Sequence, residues 1–422
     1  MENNQLKNYF ENYYVPLKET ANERFSIEHS ENGRSRNEYQ RDYARILYSS
    51  SFRRLQGKMQ LLDVQEGKFF RNRLTHSLEV AQIARSIAEL LKNKIPTLDV
   101  YGEDIYVVES GALAHDIGNP PFGHHGEKVL NKLMKEHGGF EGNAQTIRIL
   151  TKLEKKHPNL KGLNLTGRSL LSTVKYFRPY DHDHQESKFL YNEDYDFFNA
   201  KLNDLEIYPR TIDVQIVDLA DEIAYCAHDL EDALSSNYFN IEELLFEIKL
   251  HCKDNFNILS DWVKSAKCYA YKSTMYNSSE EFAFVFRKEL TSIIVDKLAR
   301  DIDLVQLSED YKVKTGTKNN EELGFVKYQS LVKSLKKKTF TSVNRTNKVQ
   351  MYERLGEKVI KGLMEALTDK DFNKDLLLLP VEFRDTNCIH RSVSDYISGM
   401  MDKFSINLYT EIYGESSLSN LL

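Results

Sequence analysis

Between Leu113 and Glu127 the chain reads LAHDIGNPPFGHHGE. This stretch holds an adjacent imidazole and carboxylate, His115-Asp116, and a second pair, His124 and Glu127, at i, i+3. A catalytic divalent ion in a protein without clustered cysteine needs His nitrogens and Asp or Glu oxygens from several elements. A histidine backed by a carboxylate suits general acid–base work, because the carboxylate fixes the tautomer and stabilises the imidazolium. Pro120 and Pro121 turn the chain back after His115-Asp116, so His124 can approach the same ion. His125 points elsewhere on a helix. The bland alternative stays open, since His-Asp recurs at His182-Asp183 and His228-Asp229. An isolated His-x-x-Glu is otherwise a surface pair worth about 0.2–0.5 kcal/mol.

Other elements must supply the remaining ligands. His76 opens the helical stretch THSLEVAQIARSIAELL, in which Val80, Ile83, Ala84, Ile87 and Leu91 form one apolar stripe. DIYVVESGALAHD reads as a second helix that stops at Gly118, and GEKVLNKLMKEH begins a third. DVQIVDLADEIAYCAHDLEDAL is a long fourth, on which Asp218, Asp221, Tyr225, Asp229 and Asp232 share one polar face. Carboxylates in a row beside a core call for a cation or basic groups facing them. The competing reading is the solvated face of an amphipathic helix.

The same helical patterning continues through EELLFEIKL, EFAFVFRKELTSIIVDKLA and RLGEKVIKGLMEAL, with glycine and proline sparse, so the fold class is all-α with at most a short hairpin. Residues 34–38, 180–196 and 311–322 read as loops or inserts. The division is an N-terminal arm (1–35), a helical core (36–235) and a helical C-terminal region (236–422). With 28% charged residues and a net charge of −6, the chain lacks the basic balance of a nucleic-acid coat. It shows no signal peptide and no apolar run long enough to span a membrane, and the expectation is a cytoplasmic protein. Its four scattered cysteines, without a CxxC, read as reduced, mostly buried thiols and not as metal ligands.

RLTHSLEV, AHDIGNPPFGHHGE, FEGNAQ, KYFRP and LADEIAYCAHDLEDA, in this order, resemble the HD-domain deoxyguanosinetriphosphate triphosphohydrolases. SSSFRRLQGKMQ upstream and DYISGMMDKF near the end extend the similarity over nearly the whole chain. The resemblance implies an HD-domain helical core with additional C-terminal helices, and hydrolysis of a deoxynucleoside triphosphate, dGTP foremost, to deoxynucleoside and tripolyphosphate. It places the metal ligands on His76, His115, Asp116 and Asp221, and the catalytic pair on His124 and Glu127. Nucleotide contacts fall on Gln60, Arg73, Asn143, Lys175, Tyr176, Tyr225 and Asp229. The ion would be Mn²⁺, Mg²⁺ or another divalent metal such as Fe²⁺, Ni²⁺, Co²⁺ or Zn²⁺. The resemblance further implies a homo-oligomer, a hexamer, with a nucleotide effector or single-stranded DNA as further partners.

A nucleoside triphosphate carries about four negative charges, so local cations must overcome the acidic whole. Arg73, three residues before His76, Lys175 and the Arg53-Arg54 pair are the candidates. Gln60 and Tyr225 suit the sugar, and Glu353 is the candidate for guanine recognition. Two other functions compete: an HD-type phosphodiesterase or nucleotide phosphatase, and a nucleotide- or single-strand-binding regulator. The basic run VKSLKKK, residues 332–338, gives the second some footing, but a solvated or subunit-contact face is the simpler reading of it.

Overall fold

In the computed structural model, which describes residues 3–24, 26, 35–60, 71–183, 188–275, 277–344, 346–385 and 387–414, helices carry the architecture and the only sheet among the described residues has two strands. The N-terminal half runs α1 (Asn4–Thr20), α2 (Glu38–Leu47), α3 (Ser50–Arg54), α4 (Arg73–Lys94), α5 (Tyr106–Ala114), α6 (Gly123–Leu133), α7 (Gly142–Arg148), α8 (Gly167–Leu171), α9 (Asn192–Asp204), α10 (Ile212–Ala224) and α11 (Leu230–Ser235). The C-terminal half runs α12 (Ile241–His251), α13 (Lys253–Tyr271), α14 (Ser279–Arg300), β1 (Ile302–Gln306), α15 (Glu309–Thr315), β2 (Glu321–Phe325), α16 (Gln329–Asn344), α17 (Asn347–Thr368), α18 (Ile389–Ser398) and α19 (Asp402–Tyr413). The fold is all-α, as the sequence implies. No described helix is long and apolar enough to cross a membrane.

α5 lies at the centre, against α2, α4 and α10. Residues 107–114 are all buried, as expected of a helix enclosed on every side. α4 starts at Arg73 because Asn72 and Thr75 form a reciprocal capping box. Its stripe from Val80 to Leu91 is buried, and His76 sits in its first turn with no exposed surface. α1 joins the same core through Leu6, Phe10, Tyr14 and Leu17, and that core continues past residue 235 to Leu335. A second apolar cluster joins α6 to α17, α18 and α19.

The turn between α5 and α6 is shaped by close backbone approaches. A Cβ at Gly118 would collide with the Gly142 carbonyl and the Thr146 amide of α7, so this turn fits only glycine. Phe122 is left-handed (φ 62°) and its ring packs on Gly356 and Tyr352 of α17. Such a backbone costs about 1–3 kcal/mol, and the Asp402 carboxylate, which accepts the Phe122 N–H at 3.1 Å, helps to hold it.

Three sequence expectations need correction. Residues 311–322 are a loop only from 316 to 320: the stretch begins within α15 and ends at the start of β2, which pairs antiparallel with β1 in the register Ile302↔Phe325. Their Thr-, Lys- and Asn-rich composition hides a strand whose partner lies elsewhere in the chain. The 180–196 insert ends early, since α9 begins at Asn192 with Glu193 and Asp194 in its first turn, where acids favour a helix. Of the cysteines, all free, only Cys226 is buried; Cys268 and Cys388 are exposed.

Candidate metal centre and nucleotide cavity

Three ligand atoms from three helical segments converge. One atom each of His76, His115 and Asp221 lies within 4.8 Å of the others. Asp221 Oδ1 is 3.2 Å from His76 Nε2 and 3.6 Å from His115 Nε2. Asp116 Oδ1 is 3.5 Å from the same His115 nitrogen. Ligand atoms bound to one ion at about 2.0–2.2 Å sit roughly 3–3.5 Å apart, so the spacing fits a divalent metal. The donor chemistry fits as well. His115 Nδ1–H donates to the Ala112 carbonyl at 2.6 Å, which leaves the Nε2 lone pair facing the carboxylates. His115 Nε2 and His76 Nδ1 are buried ring nitrogens without a hydrogen-bond partner.

The electrostatics follow from this crowding. Burial opposes charge on His115, but Asp116 and Asp221 outweigh it and push the imidazole up to about 9. Burial likewise opposes the Asp116 carboxylate, yet the Arg73 guanidinium holds it down at about 2. Asp221 is held well below its ordinary value, against burial, by the adjoining imidazoles of His115 and His76.

Arg73 is 1% exposed, donates to Asp116 Oδ2 at 2.6 Å and does not line the cavity. The expected nucleotide contact is therefore replaced by an ion pair behind the metal cluster; spacing puts Arg73 and His76 on one side of the helix but does not report depth. In metal-free protein, Arg73→Met should lower stability by about 3–5 kcal/mol, because the buried Asp116 loses its hydrogen-bonded guanidinium partner. Urea unfolding measures this, and an unchanged midpoint would remove the positioning role.

Beside the cluster opens a cavity of about 430 Å³, within the range of small-molecule sites. Gln60, His115, Asp116, His124, Glu127, Asn143, Lys175, Tyr176, Asp221, Tyr225 and Asp229 all line it. His124 has a side chain 56% exposed, and its Nδ1 lies 3.3 Å from Glu127 Oε2. His125 turns away toward Glu357, 3.9 Å distant, while His124 lines the cavity. Glu353, Arg53 and Arg54 do not line the cavity; Arg54 instead donates to the Gly399 carbonyl. Where α17 lands on α6 is a tertiary outcome that no local pattern carries. In the other His-Asp insert, His182 pairs with Glu136, and His184 lies outside the described residues.

The polar face of α10 is not a solvated face. Asp218 pairs with Lys175 at 2.6 Å and Arg210 at 3.2 Å, and Asp232 pairs with Arg71 at 2.5 Å. Between α10 and α11 the helix widens into a π-turn, Tyr225–Asp229, a feature frequent at functional sites. Asp229 Oδ1 has no partner, and burial, reinforced by Asp232, pushes this carboxyl well above the usual range.

Several cavity residues escaped the sequence reading. Lys188, Lys336 and Lys337 line it with Lys175, and among the described residues no arginine does. Two lysines of the 332–338 run thus border the cavity rather than a free surface; Lys336 pairs with Glu222 at 2.7 Å. Phe340, half-exposed one turn further on, joins them. Arg210 buttresses the site from beneath: it donates to the Lys175 carbonyl at 2.6 Å and pairs with the buried Glu322 of β2 at 3.1 Å.

Comparison with known proteins agrees with this geometry. Residues 73–226 match the HD domain and residues 327–411 the phosphohydrolase-associated domain. The chain is 47% identical over 397 residues to deoxyguanosinetriphosphate triphosphohydrolase-like protein 2 of Vibrio cholerae, covering 93% of this chain and 92% of that protein. It is 34% identical to a deoxyguanosinetriphosphate triphosphohydrolase-like protein of Rickettsia bellii (89% and 92% covered) and 33% identical to one of Shewanella sp. strain MR-4 (93% and 96%). The chain belongs to the HD-domain deoxyguanosinetriphosphate triphosphohydrolase family. HD domains bind divalent metals, and this family member is a metal-dependent phosphohydrolase with a His/Asp cluster that could hold such an ion.

Proposed function

We propose that the protein hydrolyses a deoxynucleoside triphosphate, dGTP foremost, to deoxynucleoside and inorganic tripolyphosphate. The observation that carries the reading is the meeting, in one cavity, of the His/Asp cluster, the His124–Glu127 pair and four lysines. His76, His115, Asp116 and Asp221 would hold a divalent ion, which would supply Lewis-acid polarisation of the substrate phosphate when bound.

The remaining work falls to side chains. Lys175, Lys336 and Lys337 receive the phosphate oxygens. Water adds to the α-phosphorus, the bond to the 5′ oxygen breaks, and the water oxygen leaves with tripolyphosphate. His124 hands a proton to the departing 5′ oxygen, while Glu127 fixes its ring and stabilises its charged form. The partnerless Gln60 Oε1 accepts from the 3′-hydroxyl, and the neutral carboxyl of Asp229 serves the same sugar edge. The Tyr225 ring, 5.5 Å from that of His76, closes the space a 2′-hydroxyl would need. Phe340 offers the base a face to stack on.

The test is a panel of four dNTPs and four NTPs, each with Mg²⁺ or Mn²⁺. dGTP should be consumed fastest and GTP not at all. Equal turnover of ribo- and deoxyribonucleotides would refute the sugar assignment.

A further inference from the structure

Lys188 belongs to the 180–196 insert, yet its ammonium reaches the catalytic pair. Its Nζ lies 2.6 Å from Glu127 Oε1 and 2.9 Å from Glu141 Oε1. Glu127 is thereby shared: Oε2 faces His124 Nδ1 at 3.3 Å, while Oε1 takes Lys188 and the Gly142 N–H at 3.2 Å. Resting on the proposed reaction, we infer that Lys188 is a positioning residue that holds Glu127 toward His124 and sets how readily the pair releases its proton.

The physical argument is one of shared charge. A carboxylate facing only an imidazole stabilises its charged form fully; one that also binds an ammonium stabilises it less, and the imidazolium becomes the stronger acid. Glu127 is buried with an 11% exposed side chain, so solvent screens this competition weakly. The other groups around the pair are few. Glu141 precedes α7 and shares Lys188, and Tyr176 stands beside both. Glu357 of α17 faces His125 on the far side of α6, and Asp402 of α19 is engaged with the Phe122 amide. Among these described groups Lys188 is the only cation within ion-pair distance of Glu127. It keeps His124 suited to donate to a 5′ oxygen, a poor leaving group.

The experiment compares wild type, K188M, K188R and K336M through pH profiles of kcat and KM on dGTP. In K188M the alkaline limb of kcat, where the pair gives up its proton, should move up by roughly half a unit to one unit. Its plateau kcat should fall while KM changes less than about twofold. K188R should return the limb to its wild-type position, and K336M, whose lysine pairs with Glu222 instead, should move it less. A limb that stays in place in K188M, or moves equally in K336M, overturns the inference, as does a loss of kcat that K188R leaves unrestored. Imidazole NMR of histidine-labelled protein needs no turnover and separates the two claims. The titration that vanishes in H124A should move to higher pH in K188M even if no dNTP is hydrolysed, in which case the substrate reading alone fails.

Discussion

Asp221→Asn is expected to keep its helix content, to bind no stoichiometric divalent ion and to lose activity by about 10³-fold or more. The reason lies in the position of one atom. Asp221 Oδ1 is the oxygen that lies between the two imidazoles, 3.2 Å from His76 Nε2 and 3.6 Å from His115 Nε2. Changing the carboxylate to an amide keeps the shape but removes the charge that offsets an ion in a buried site. Asp116 does not make up the lost charge, because the Arg73 guanidinium already offsets its carboxylate. Far-UV circular dichroism, metal content after gel filtration and turnover together measure the effect. Full metal content in the variant would show that the ion is held elsewhere.

His124→Ala is expected to behave in the opposite way toward metal. The variant should retain the ion, bind nucleotide with little change in KM and lose about 10²–10⁴-fold in kcat. His124 lies outside the converging ligand set, and its ring is more than half open to the cavity mouth. Removing it leaves Glu127 paired with Lys188, so the local fold keeps a satisfied carboxylate. Metal lost together with activity would make His124 a ligand; unchanged kcat would hand proton transfer to another group.

What the sequence discloses and what it conceals divides along physical lines. The stripe of α4 and the spacing of Asp218, Asp221, Tyr225 and Asp229 are legible because helical periodicity is local. The charge compensation expected for that row is present as Lys175, Arg210 and Arg71, though none of these neighbours is adjacent in sequence. Depth is not legible: Arg73 and His76 share a helix turn, yet one backs the cluster and the other belongs to it. Lysines are the hardest to place, since long cationic side chains are normally solvated. Lys188 and Lys336 become cavity residues only through the packing of a polar insert and of α16. The π-turn at Tyr225–Asp229 has no sequence signature of its own. Glu353, the candidate for guanine recognition, is not among the residues that line the cavity.

The most direct measurement is product identity. Metal-loaded protein is incubated with dGTP, and the products are separated by ion chromatography. The arrangement of His/Asp cluster, lysines and His124 predicts deoxyguanosine and tripolyphosphate in equal amounts. Release of dGMP with diphosphate, or of dGDP with phosphate, would contradict it, because the scissile bond would then lie outside the reach assigned to the metal centre and His124.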